Sequence, residues 1–314
     1  MGAGSEGMAR KLRIQYEGAL YHVINRGNYR RDLFESVGTA QAFEETVIEA
    51  CEVHGWRLHA HVVMRNHYHL AVETPRANLV EGMHWLQSTF ATRFNRFRQE
   101  RGHLFQGRYQ ALLIEDSAAL ARVVDYIHLN PVRAGIVTPE QLGAFRWSSL
   151  RRFVREGRPA IYGSADWLTQ RGLTDSVAGW RAYIAYLTEL AGSEAEQKRL
   201  GLENLSAGWA IGSQGWKRAM AKDHAQRALS PGVEAGELKE LKQAHWTQVL
   251  DAELKKWGKT RAEALEDIRG AKWKIAVTMR LRREGAPYAW ITAELSMGKP
   301  GSVRTYLSQY KSSI

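Results

Sequence analysis

Five of the chain's 11 histidines fall between His54 and His69, and four of them form two His-x-His pairs, His59 with His61 and His67 with His69. Alternate residues of a strand share a face, so each pair can turn two imidazoles toward one divalent cation. An isolated pair serves equally well as hydrogen-bonded surface with no metal at all. A second pattern lies in YIHLN at 126–130. Four-residue spacing stacks Tyr126 and Asn130 on one side of a helix, where a hydroxyl nucleophile and an amide-oxygen ligand would stand side by side. The same spacing describes a tyrosine that packs at a helix edge with its hydroxyl in water, and this chain has 12 tyrosines. The single cysteine, Cys51, excludes an internal disulfide and a cysteine-based zinc site, and its apolar helical setting reads as core.

The elements that must position these residues follow from periodicity. Ala19–Ile24 is rich in strand formers and ends in the turn-prone Asn25, Arg26, Gly27 and Asn28. From Thr39 to Val53, Phe43, Val47, Ile48 and Cys51 recur at helical spacing. Trp56–Met64 and His67–Glu73 form a predicted hairpin around Arg65 and Asn66, with Leu70 and Val72 on the face opposite His67 and His69. Asn78 is positioned to cap a long helix whose buried stripe is Leu79, Met83, Leu86, Phe90, Phe94 and Phe97, and Gly102 ends it. Tyr109–Ile114 reads as a strand. Ser117 then caps a helix with Leu120, Val123, Val124 and Ile127 on one face, and Pro131 predicts its end at Asn130. This order predicts an α+β fold with helices on one face of an antiparallel sheet and the other face open for chemistry.

The remaining chain divides by composition. Met1–Gly7 reads as a non-native extension before Met8, residues 8–155 as the first domain, 156–230 as a helical, Trp-rich connecting region, and 231–314 as a helical domain, with a linker at Leu229–Gly232. Forty-four basic against 33 acidic residues give a net charge of +11, which points to a polyanionic partner, nucleic acid before membrane. No apolar run is long enough to span a bilayer, so the expected location is the cytoplasm, in association with the nucleoid. Between Lys272 and Ile314 basic residues predominate, and Trp273, Val277 and Leu281, then Trp290, Ile291 and Leu295, then Val303 and Leu307 mark three helices. Met297–Gly298 before the last suggests a helix-turn-helix with Lys299, Ser302, Arg304 and Thr305 at the start of its recognition helix. A small bundle for protein contacts has the same pattern.

The runs MRNHYHLAVETP at 64–75, GHLFQGRY at 102–109 and YIHLNPVRAG at 126–135, extended by YHVINRG at 21–27 and WSSL at 147–150, resemble the REP-associated tyrosine transposases, single-tyrosine HUH nucleases. The likeness covers roughly Ala9 to Arg152, and the C-terminal region looks like a DnaA-type helix-turn-helix domain. It implies a ferredoxin-like or RRM-like fold, His67 and His69 as metal ligands, Asn130 as third ligand and Tyr126 as nucleophile. Arg65 replaces the usual Pro, Gly or Ser, and His61 a commoner aromatic residue, both outside the ligand set.

Such chemistry suits these residue types. A phenol with a pKa near 10 needs a cation to polarise the phosphate it attacks, and Mg²⁺ or Mn²⁺ fits two imidazoles and an amide with open positions. The implied product is a 5′-phosphotyrosine and a free 3′-hydroxyl on a REP-like single-stranded hairpin, cut by a monomer or homodimer that also meets flanking duplex. Tyr68 and Tyr109 are rival nucleophiles, less well placed relative to ligands. Arg26, Arg30, Arg31, Arg93, Arg96, Arg108 and Arg133 are candidate phosphate contacts. A DNA-binding regulator without catalysis and a metal phosphoesterase that uses water are the competing functions.

Overall fold

The computed structural model describes residues 14–154, 158–223 and 235–311; the expected extension at 1–7 and the linker at 229–232 lie outside them. The chain forms two compact units, one over Arg13–Gln214 and one that includes Gly215–Ile314.

The first unit runs β1 (Ala19–Arg26), α1 (Val37–His54), β2 (Arg57–Val63), β3 (His67–Thr74), α2 (Leu79–Arg98), β4 (Gln110–Ile114), α3 (Ser117–Arg133), α4 (Ser149–Phe153), α5 (Ala165–Thr169), α6 (Val177–Ala191), α7 (Glu194–Arg199) and β5 (Ala210–Ile211). The sheet order is β2-β3-β1-β4-β5, antiparallel except for the parallel β4–β5 edge. The α+β class is as expected from the element order. Residues 158–214, read as a connecting region, belong to the same unit as the sheet and supply its fifth strand.

Register sorts the side chains into two faces. Tyr21 opposite Val72, Val23 opposite Leu70 and Asn25 opposite Tyr68 share one face, while His22 opposite Ala71, Ile24 opposite His69 and Arg26 opposite His67 share the other. On the first, Phe43 of α1 and Phe90 of α2 close on Phe34, Tyr68 and Phe105, with ring centroids 4.5–6.5 Å apart. A methyl on Gly82 would lie 2.1 Å from the Trp56 ring, so this glycine lets α2 approach the hairpin. Ser36 caps α1 by accepting from the Thr39 amide, and Gly55 ends it in a left-handed conformation.

Three local expectations fail for identifiable reasons. Phe97 is 72 % exposed, because the aromatic cluster ends one turn earlier with Phe94. Asp116, not Ser117, caps α3, its carboxylate accepting from the Ala119 amide at 2.8 Å. Pro131 does not stop α3, which continues to Arg133 with both Asn130 and Pro131 buried. Helical geometry before proline is disfavoured rather than forbidden, and burial of this turn outweighs the local preference.

The larger departure is the position of α3. It packs across β2 and β3 and brings Tyr126 onto the face that carries His22 and His69. The helices therefore cover both faces, and the histidine face is roofed by α3 where the sequence predicts an open surface.

The second unit contains α8 (Gln214–Asp223), α9 (Ala235–Lys256), α10 (Arg261–Glu266), α11 (Lys272–Arg283), α12 (Tyr288–Glu294) and α13 (Pro300–Lys311). Trp246, Leu250, Trp273, Val277, Leu281, Ile291, Leu295, Met297 and Val303 form its core, which is the helical pattern the sequence predicts.

Candidate active site

The site is built where β1 and β3 lie side by side. His69 is buried on β3 with His67 two residues before it, their ring centroids 5.2 Å apart. On β1, buried His22 stacks on His69 at 5.1 Å, with His22 Nε2 3.0 Å from His69 Nδ1. The other nitrogen of His22, Nδ1, donates to the Leu205 carbonyl at 2.7 Å. His67 Nδ1 lies 2.8 Å from Asn66 Oδ1. The Asn66 amide nitrogen donates to the Arg30 carbonyl, which fixes the amide with its oxygen toward His67. His67 Nδ1 is then the protonated nitrogen and Nε2 carries the lone pair.

Burial keeps these imidazoles neutral. It pulls His22 down to about 4, lowers His67 with help from Arg26, and holds His69 well below its usual value, with His22, His67 and Arg133 adding to the effect. Neutral imidazole is the metal-ligating form.

α3 lays Tyr126 against this pair. Its ring meets His69 edge-on at 5.6 Å and His22 at 5.7 Å, and the Arg133 guanidinium stands 4.9 Å from the ring centroid. Tyr126 and Asn130, one turn apart on α3, are each 8 % exposed, so the tyrosine reaches solvent only at its margin. Among the described residues no group of three or more His, Cys, Asp or Glu forms a metal cluster. His67 and His69 offer two imidazoles on one face of the sheet, nitrogen donors that a borderline divalent cation such as Mn²⁺ accepts.

Residues 15–130, which span β1 to α3, match the family described as transposase, IS200 like. Among solved structures the chain is similar to the REP-associated tyrosine transposase bound to a REP hairpin, at 21 % identity and a TM-score of 0.40, over 51 % of this chain and 93 % of that one. No curated protein matches it.

The matched segment is tied to the rest of its unit through the residue before Tyr126. Asp125 is buried, ion-paired with Arg171, and accepts from Tyr183 at 2.9 Å and Tyr186 at 3.1 Å. Removing one partner of a buried pair leaves an uncompensated charge. Arg171→Met is therefore expected to destabilise the protein by about 3 kcal/mol, read as a lowered denaturant midpoint. An unchanged midpoint would show that α3 does not depend on the pair.

Other expected residues are scattered. A β-bulge between Leu58 and Ala60 breaks the alternation, so His59 and His61 do not share a face. His59 bonds Glu73 at 3.2 Å and His61 bonds Glu44 of α1 at 3.0 Å; the pair cannot converge on one cation. Tyr68 is buried in the aromatic cluster on the opposite face, and Tyr109 is buried just before β4. Arg26 is exposed opposite His67, and Arg133 is exposed beside Tyr126. Arg30, at the end of a 3-10 turn over Asn28–Arg30, and Arg108, in a loop, are exposed, and Arg31 pairs with Glu100 at 2.5 Å. Arg93, forked onto Glu49 of α1 at 2.8 and 3.0 Å, and Arg96 belong to α2 in the layer on the far face. In the second unit Lys299, Arg304 and Thr305 are exposed and Ser302 half-buried around the start of α13, with Val303 turned into the core.

His22 was not among the residues the sequence singles out. It lies in the YHVINRG run of the resemblance, but its partnership with His69 depends on the β1–β3 register and on Leu205, far along the chain.

Proposed function

We propose that the first unit is a transposase of the IS200-like kind, a metal-dependent, structure-specific single-strand DNA endonuclease and strand transferase with Tyr126 as nucleophile. The observation that carries this reading is Tyr126 packed edge-on against His69 on the sheet face that His69 shares with His67. The hydroxyl oxygen attacks a backbone phosphorus, forming the Oη–P bond and breaking the bond to the 3′ oxygen. The tyrosine loses its proton, the leaving oxygen gains one, and the 5′-phosphotyrosine keeps the bond energy for rejoining without ATP. An Mg²⁺ or Mn²⁺ ion held by His67, His69 and Asn130 would polarise the phosphate and offset charge accumulating on its oxygens. Arg26, opposite His67, and Arg133, over Tyr126, are both exposed and would hold the flanking phosphates.

The substrate is a hairpin-forming single strand, as the sequence motifs imply. The second unit contributes duplex contacts through the exposed side chains at the start of α13, on the helix-turn-helix reading of α12 and α13. The monomer or dimer state does not enter the chemistry. With a labelled hairpin oligonucleotide and Mn²⁺, the full-length protein should yield an SDS-resistant adduct, whereas the same strand annealed to its complement should not. Cut DNA without an adduct would favour the water-using phosphoesterase, and binding without cutting the regulator. Joint replacement of Lys299 and Arg304 by alanine should lower the slope of log affinity against log salt by about 1.5 to 2 on substrates with a duplex flank. An unchanged slope would remove α13 from the DNA interface.

A further inference from the structure

A buried imidazole in the middle of a strand needs a reason, because polar groups taken out of water are destabilising unless fully hydrogen-bonded. His22 has both its nitrogens engaged, one by a carbonyl and one by another imidazole. A carbonyl only accepts, so Nδ1 of His22 must carry the proton. In a neutral ring Nε2 then has only a lone pair. Across the 3.0 Å contact the donor must be His69 Nδ1–H, which leaves Nε2 of His69 unprotonated.

The anchor of this chain sits in a segment hydrogen-bonded to β4. Leu205 follows a 3-10 turn at Leu202–Asn204, in the segment that leads to β5. Leu113 donates to the Trp209 carbonyl at 2.9 Å and Glu115 to the Ile211 carbonyl at 3.0 Å, while the Gln110 side chain donates to the Gly208 carbonyl at 3.1 Å. Residues 202–211 lie beyond residue 130, outside the segment matched to the family, and are held to β4 within it.

We infer that His22 is a positioning residue, which uses the Leu205 carbonyl to fix His69 in the tautomer whose Nε2 is the free nitrogen for the cation. The inference rests on the proposed role of His69 as a metal ligand. It gives residues 202–211 a part in the chemistry, because the carbonyl at Leu205 sets a proton two rings away. Hydrogen-bonded partners of this kind orient a ligand and raise its basicity. His67 receives the equivalent support from Asn66, so both ligands present the same nitrogen.

The test uses full-length protein carrying ¹⁵N-labelled histidine, as wild type, His22→Leu and His22→Gln. Leucine removes the acceptor, whereas the glutamine side-chain oxygen can restore it. Without metal, the ring-nitrogen shifts of His69 should report protonation at Nδ1 in wild type and His22→Gln, and a shift toward the Nε2–H form in His22→Leu. Mn²⁺ affinity, followed by the electron paramagnetic resonance of the free ion, should fall about 10- to 100-fold in His22→Leu and be restored by glutamine. Hairpin binding in chelator should be the same for all three. Protonation of wild-type His69 at Nε2 overturns the inference, and this result does not depend on the folding of any variant. Unchanged tautomer and Mn²⁺ affinity in His22→Leu overturn it as well. Should His69→Ala leave Mn²⁺ affinity untouched, the metal reading falls separately, because the metal-free spectrum still reports whether His22 sets the His69 proton.

Discussion

Tyr126→Phe is expected to lower strand cleavage by about 10⁴-fold or more and to eliminate the covalent adduct, while hairpin affinity stays within about twofold of wild type. The substitution removes one oxygen and little else. The phenyl ring keeps its edge-on contacts with His69 and His22 and its place under the Arg133 guanidinium. A general collapse of the site is therefore not an outcome the packing predicts. Persistence of the adduct in the phenylalanine variant would move the nucleophile elsewhere. Tyr68, buried among aromatic rings on the opposite face, is a poor substitute, since its hydroxyl already accepts from Gln87 at 3.1 Å.

The second large effect is expected at the histidines. His67→Ala and His69→Ala should each reduce cleavage by on the order of 10³-fold, and chelator should do the same to wild type, with Mn²⁺ or Mg²⁺ restoring it. His67 gives the cleaner test. His69 also packs against Tyr126 and His22, so its removal loosens the nucleophile as well as the ligand set. Asn130→Ala should cost less, because water can take one position of a hard cation. Full cleavage in excess chelator would take the metal out of the mechanism.

Much of this was legible in the chain. Period-two alternation around His67 and His69 set both on one face, and the register of β1 and β3 bears that out. The helix through Tyr126 followed from its apolar stripe. What local pattern does not carry is the side of the sheet on which a helix packs, so the roofing of the histidines by α3 was missed. The bulge at His59 was missed for a related reason: one extra residue in β2 changes the face of everything beyond it, and no turn residue announces it. His22 and Leu205 are 183 residues apart, and the alternation that found the HxH pair says nothing of such a partner. Arg93 and Arg96 followed from charge clustering alone, which does not distinguish the two faces of the sheet.

The central claim is that Tyr126 bonds to phosphorus. It is tested most directly by trapping the reaction of the full-length protein with a hairpin oligonucleotide, digesting protein and DNA, and locating the nucleotide adduct by mass spectrometry. A 5′-linked nucleotide is expected on the peptide that contains Tyr126, and on no other tyrosine. An adduct on a different residue, or a cut strand with no adduct on any peptide, would contradict it.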